Sequence, residues 1–215
     1  KDTKGIVQTV DDAMRRVLDD RQNAFVIYGE PQSGKTEMMI ALTAKLLDEG
    51  RKTIILLLND SVQLLNQNLS RFRRSGLDPA PRSFAEILDP AVDVKDVQLV
   101  VFCKKNAKDL QKLIDKLGAS NKKVVIDDEA DYATPNAKIN LGQQTRINEL
   151  IGKLLGTDGQ YIGVTATPAR LDLNRTFEND QDAWVNFPPH PKYMGKDFFF
   201  PASSSAMRDL GYRLT

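Results

Sequence analysis

Eight consecutive residues constrain this chain more than any other feature: Gly29-Glu30-Pro31-Gln32-Ser33-Gly34-Lys35-Thr36. They sit between an apolar run of strand length, Ala24 to Tyr28, and a segment whose apolar residues recur at helical spacing. This is the GxxxxGK[ST] pattern in a strand, turn and helix context. Glycine lets the backbone turn tightly enough to aim successive amide N–H groups at one point, and the helix N-terminus adds its dipole there. Such a cradle suits phosphate oxygens. Lys35 then supplies a full positive charge to the β and γ phosphates of a nucleotide, and the Thr36 hydroxyl is placed to ligate Mg2+. All eight residues are candidate contacts to bound ATP.

The rest of the chain agrees with a fold that presents such a loop. Strand-length apolar runs alternate with helix-period segments as far as residue 164, the pattern of parallel strands joined by crossover helices. Five core strands are expected: Ala24 to Tyr28, Thr53 to Leu58, Gln98 to Cys103, Lys123 to Asp127 and Gln160 to Thr165. Their Val, Ile and Leu content shows no polar alternation, so helices should cover both sheet faces. After the loop, Met38, Met39, Leu42, Leu46 and Leu47 mark a helix that stops at Gly50, and the methionines read as core filler. Further helices are expected around Val10 to Leu18, Val62 to Phe72, Ala107 to Leu117 and Arg146 to Leu155, with a looser connection at Pro79, Pro81 and Pro90. The fold class is α/β, a mainly parallel sheet with helices on both faces. Residues 1–170 form the ATP-binding domain, and residues 171–215 an irregular extension leading toward a missing second domain.

Composition narrows the function by exclusion. The 30 basic and 29 acidic residues leave a net charge of +1, so any nucleic-acid binding must use a local patch. A lone cysteine, Cys103, lies in an apolar run, which excludes an intrachain disulfide and fits a buried thiol in a reducing cytoplasm. The lone His190 lies among prolines, which leaves no zinc site of His and Cys. No apolar run approaches the roughly 18 residues of a membrane span, and no signal-peptide core is present. The start at Lys1 rather than Met points to a processed chain or an excerpt.

The fourth strand runs into Asp127-Asp128-Glu129-Ala130-Asp131, and a buried strand ending in clustered carboxylates is costly without a cation. Magnesium is the natural occupant. Asp128 is assigned to the metal and Glu129 to orienting and deprotonating the attacking water. The doubled aspartate leaves the alternative register, with Asp127 on the metal side, open.

Asp128-Glu129-Ala130-Asp131 reads literally as DEAD. With the phosphate loop and Val164-Thr165-Ala166-Thr167-Pro168, it resembles the first RecA-like domain of superfamily 2 helicases across residues 5–170. Thr145-Arg146-Ile147-Asn148, Tyr161-Ile162-Gly163 and Tyr193-Met194-Gly195 make it similar, more narrowly, to helicase-like P-loop domains of bacterial restriction and defence endonucleases. The resemblance implies that Thr165 and Thr167 couple the nucleotide site to nucleic-acid binding and interdomain closure. It implies an adenine-reading glutamine upstream of the loop, for which Gln8 is the placed candidate beside an ordinary surface role. It also implies nucleic-acid contacts after the second strand, where Asp60 and Ser61 can equally be helix caps, and after the third, at Lys104 and Lys105. Arg71, Arg73 and Arg74 form the densest positive charge and suit phosphate contacts, with a solvated helix face as the alternative.

Two functions follow. The preferred one is an ATP-hydrolysing motor domain acting on DNA, in preference to RNA, and the other is an ATP-gated switch or assembly subunit. In the superfamily a second RecA-like domain supplies an arginine finger. Arg170 has no specific support as a substitute, so the chain by itself is expected to hydrolyse ATP very slowly. A small-molecule kinase would share the loop but has no use for the DEAD or Thr-Ala-Thr segments.

Overall fold

The computed structural model describes residues 3–18, 23–118, 122–133, 141–167, 184–191 and 193. In chain order its elements are α1 (Lys4–Leu18), β1 (Ala24–Gly29), α2 (Lys35–Asp48), β2 (Thr53–Leu58), α3 (Val62–Arg74), β3 (Arg82–Ser83) and α4 (Phe84–Ile87). They continue with β4 (Leu99–Lys104), α5 (Ala107–Leu117), β5 (Lys123–Asp128), a short 3-10 turn (Ala130–Ala133), α6 (Leu141–Leu155), β6 (Gln160–Thr165) and β7 (Trp184–Phe187). One sheet holds all seven strands in the order β3-β4-β2-β5-β6-β1-β7, and every pairing is parallel.

The pleat explains why the strands read as unbroken apolar runs. All six residues of β2 are buried. Ile54, Leu56 and Leu58 enter a core with α1, α2 and α3, while Ile55 and Leu57 enter a second core with α5 and α6 on the other face. Each such aliphatic side chain contributes about 1.5 to 3 kcal/mol on burial. Phe72 of α3 meets Phe102 of β4 edge to face, ring centroids 4.9 Å apart, which ties α3 to the sheet. Cys103 is fully buried, as expected, and burial pushes its thiol up to about 12.

Five elements differ from expectation. Helix α1 starts at Lys4 rather than Val10, its first turn closed by Val7 N–H donating to the Thr3 carbonyl at 3.0 Å, and its buried Thr9 donates from Oγ1 to the Asn186 carbonyl at 3.3 Å. Helix α6 starts at Leu141 rather than Arg146. The looser connection holds β3 and α4, the latter opened by a capping box between Ser83 and Glu86. Residues 184–187, read as irregular, are a strand: Val26 to Gly29 of β1 pair with Trp184 to Phe187. Most of the remainder of 171–215 lies outside the described residues. Among the described residues no helix is long and apolar enough to cross a membrane.

Candidate functional site

In a parallel sheet the loops that follow the strands gather at one edge, where ligands of such folds bind. Here that edge collects Gly29 to Thr36 after β1, Asn59 after β2, Lys105 after β4, Asp128 and Glu129 at the end of β5, and Thr165 to Thr167 at the end of β6.

The loop after β1 is shaped by close approach and by left-handed backbone. A Cβ at Gly29 would meet the Phe187 ring at 2.8 Å and Ser33 Oγ at 3.2 Å, so β7 packs directly against the start of the loop. Gln32 and Gly34 have φ of 59° and 96°, and Ser33 N–H donates to the Glu30 carbonyl at 3.1 Å to close the turn. Lys35 Nζ folds back and donates to the carbonyls of Gly29 at 3.1 Å and Glu30 at 2.8 Å. Burial holds its pKa below the usual lysine value, opposed by the nearby charges of Asp128, Glu129 and Asp131.

Successive strand residues point to opposite faces, and this separates the doubled aspartates. Asp127 is 1% exposed, with its carboxylate 2.9 Å from Lys105 Nζ and accepting from the Tyr161 hydroxyl at 2.6 Å. The same ammonium donates to the carbonyls of Asp128 at 2.9 Å and Glu129 at 2.8 Å. Burial, with the adjacent Asp127 charge, raises the Tyr161 hydroxyl well above the usual phenol range.

Asp128 instead faces a cleft of about 750 Å³ that it shares with Gln32, Lys35, Thr36, Glu129 and Thr167. Burial, reinforced by the neighbouring Glu129, pushes its carboxyl up to about 6. A cation would relieve that crowding, and the Thr36 hydroxyl and Asp128 carboxylate are the hard oxygen donors that Mg2+ takes beside phosphates and water. No cluster of three or more His, Cys, Asp or Glu ligands occurs among the described residues. Glu129 has a left-handed backbone, φ 55°, and its carboxylate accepts from Asn59 Nδ2.

The two threonines at the end of β6 converge on the last residue of the acidic motif. Thr165 Oγ1 donates to Asp131 Oδ1 at 2.5 Å, Thr167 Oγ1 donates to the other carboxylate oxygen, and Thr167 N–H returns to Thr165 Oγ1 at 3.0 Å. Ala130 packs on Gly163, where a Cβ would lie 3.1 Å from the alanine methyl. The turn after β5 and the end of β6 are thereby one hydrogen-bonded unit.

The remaining candidates separate. Gln8 lies on α1 beside a second cavity of about 540 Å³, bordered by Ser33, Gly34, Pro188 and His190. Arg71 lines the nucleotide-sized cleft, Arg74 Nε donates to the Ser70 carbonyl of its own helix, and Arg73 is tied to both Glu86 oxygens and the Pro81 carbonyl. The three arginines are thus not one patch. Lys104 is ion-paired with Asp60 at 2.9 Å and Asp109 at 3.4 Å, and the Asp60 hydrogen bond raises its pKa. Lys105, read above as a nucleic-acid contact, is corrected: its side chain is 3% exposed and its ammonium is committed to Asp127, Asp128 and Glu129. Arg170 and Pro168 lie outside the described residues. Sequence reasoning missed Asn59, Tyr161 and Tyr193, whose hydroxyl donates to the Pro31 carbonyl. Asn59 carried a signal, directly after a buried strand, and the two tyrosines stood in segments quoted for the family resemblance, which gave them no role.

Comparison with known proteins bears on the family and the fold. The family described as Type III restriction enzyme, res subunit, matches residues 5–170. Among solved structures, the ATP-dependent Type ISP restriction-modification enzyme LlaBIII bound to DNA is similar at 18% identity and a TM-score of 0.57, over 78% of this chain and 12% of that one. The Pyrococcus furiosus Hef helicase domain is similar at 16% identity and a TM-score of 0.53, over 86% and 39%. A nuclease-deletion mutant of the Type ISP enzyme LlaGI, in complex with a DNA substrate mimic, gives 16% and 0.51 over 76% and 17%. At these identities the likeness is one of fold, the RecA-like α/β domain, and this chain spans between 12% and 39% of those structures. No curated protein matches the sequence significantly.

Proposed function

The chain belongs to the family of type III restriction enzyme res subunits, and from that membership we propose that it binds and hydrolyses Mg-ATP as the first motor domain of a DNA helicase or translocase attached to a restriction or defence endonuclease. The family makes it a helicase-like domain. The observation that carries the finer reading is that Lys35, Thr36, Asp128 and Glu129 line one cleft at the loop edge of the sheet.

In this reading Lys35 exchanges its bonds to the Gly29 and Glu30 carbonyls for bonds to β and γ phosphate oxygens, held there by the amide groups of the loop. Thr36 and Asp128 would hold Mg2+, which neutralises charge on the phosphates. Glu129 takes the proton of the attacking water at its carboxylate. Asp131, gripping Thr165 and Thr167, passes the state of the site to the segment that follows β6. A second RecA-like domain or subunit completes the site with an arginine, worth roughly 10³ to 10⁵ in rate. Association with DNA is supported by the similar restriction-modification enzymes solved with DNA.

The test is titration of Lys35→Ala with a fluorescent ATP analogue and Mg2+. Tight binding should be lost in a protein whose circular dichroism is unchanged. Unaltered affinity in the folded variant would remove the phosphate-loop assignment.

A further inference from the structure

The strand order sets a direction at Glu129. β5 lies between β2 on one side and β6, then β1 with its phosphate loop, on the other. Leu57 of β2 pairs with Asp127 of β5, so two residues further along each strand Asn59 comes level with Glu129. Asn59 Nδ2 donates to Glu129 Oε2. The hydrogen bond therefore fixes one carboxylate oxygen on the β2 side, while Glu129 still lines the cleft that holds Lys35 and Thr36. The amide cannot be turned round, since Oδ1 would then face the carboxylate. As placed, Asn59 Oδ1 is buried with no hydrogen-bond partner among the described residues. An amide that gains one charged bond and strands its own oxygen is a weak restraint, one that a competing contact can release.

Asn59 also begins a chain of contacts leading outward. Its carbonyl accepts from Ser61 N–H at 2.6 Å, which closes the turn around Asp60. Asp60 is paired with Lys104 Nζ at 2.9 Å and accepts from Asn106 Nδ2 at 3.0 Å. The loops after β2 and β4 are thereby joined at one carboxylate, with a partly exposed lysine at the junction. A nucleic-acid phosphate is a direct competitor of Asp60 for that ammonium.

We propose that Asn59 is a positioning residue that holds one oxygen of the Glu129 carboxylate on the β2 side of the cleft, and that DNA phosphate engaging Lys104 relieves the hold by freeing the Asp60 turn. This rests on the ATPase reading above. It makes the turn after β2 a device through which strand contact admits hydrolysis.

Asn59→Leu is the test variant: it keeps the branched outline, removes the donor and removes the stranded oxygen, so the fold should be retained. Asn59→Ala serves as the second variant. ATP turnover is measured in the full-length natural protein with and without a mixed-sequence duplex oligonucleotide, alongside affinity for a fluorescent ATP analogue. Turnover without DNA should rise by about tenfold, the factor carried by a hydrogen bond to a charged group, while analogue affinity holds and the stimulation by DNA shrinks. In a Glu129→Gln background, Asn59→Leu should leave the residual single-turnover rate unchanged, because the effect passes through that carboxylate. Equal losses with and without DNA, no change in either, or a gain that survives Glu129→Gln would overturn Asn59 as a restraint. No DNA-stimulated turnover in the unmutated protein would overturn the functional reading instead, and this inference with it.

Discussion

Replacing Lys105 by methionine takes the cation from a carboxylate with almost no access to water. Lys105 and Asp127 side chains are 3% and 1% exposed and their charged atoms are 2.9 Å apart. Removing one member of such a pair typically costs about 3 to 5 kcal/mol, because the other charge stays buried without compensation. A second route to the magnitude agrees. A stranded carboxylate can escape by taking a proton, and for an ordinary aspartate at pH 7 that costs about 4 kcal/mol. The Tyr161 hydroxyl still donates to Asp127, which places the loss toward the lower end. For a domain of this size a loss of about 3 kcal/mol lowers the melting temperature by roughly 6 to 12 °C. Urea unfolding followed by circular dichroism measures it, with Lys52→Met as control. Lys52 pairs with Asp96 on the surface, both side chains more than half exposed, and its removal should change nothing measurable. Adding Asp127→Leu and Tyr161→Phe to Lys105→Met removes the stranded side-chain polar atoms, leaving only the Asp128 and Glu129 carbonyls without their donor, and should return part of the stability. A Lys105→Met loss below about 1 kcal/mol, or no recovery in the triple variant, would refute a buried charge network beneath the acidic turn.

Glu129→Gln should leave affinity for the ATP analogue intact while single-turnover hydrolysis falls by roughly 10² to 10⁴, since the amide keeps the shape but cannot take a proton. Asp128→Asn should raise the Mg2+ requirement and Asp127→Asn should lower stability; the reverse pattern would reassign the metal side of the doubled aspartate. Because the Asp128 carboxyl titrates at about 6, Mg2+ affinity measured by calorimetry should climb as pH rises through that value. In EDTA the sign is opposite for the fold: the raised carboxyl adds stability below its ordinary value of 3.8, and that contribution is lost as pH rises toward about 6. Charge reversal at Arg71 and Arg74 should weaken DNA binding and flatten its salt dependence, whereas reversal at Arg73 should chiefly break the tie to Glu86; identical salt slopes for all would return the helix to a solvated face.

What the sequence by itself determined is what a few neighbouring residues decide among themselves. The glycines and lysine of the phosphate loop, the strand before it and the helix after it depend on local backbone freedom and on apolar runs, and the structure places them as read. The fold class followed for the same reason, since unbroken Val, Ile and Leu runs admit only strands covered on both faces. Tertiary structure decided whatever depends on which strand lies beside which. Trp184 to Phe187 have no strand period of their own and become a strand by pairing with the free edge of β1. Which of Asp127 and Asp128 faces the cleft is a matter of pleat parity set against the two cores, and a sequence shows the alternation but not which face holds the ligand. Lys105 reads as an exposed basic residue until β5 is brought beside the loop that follows β4 and buries its ammonium. Asn59 and Glu129 are 70 residues apart and meet because β2 and β5 are neighbours in an order that no local preference encodes.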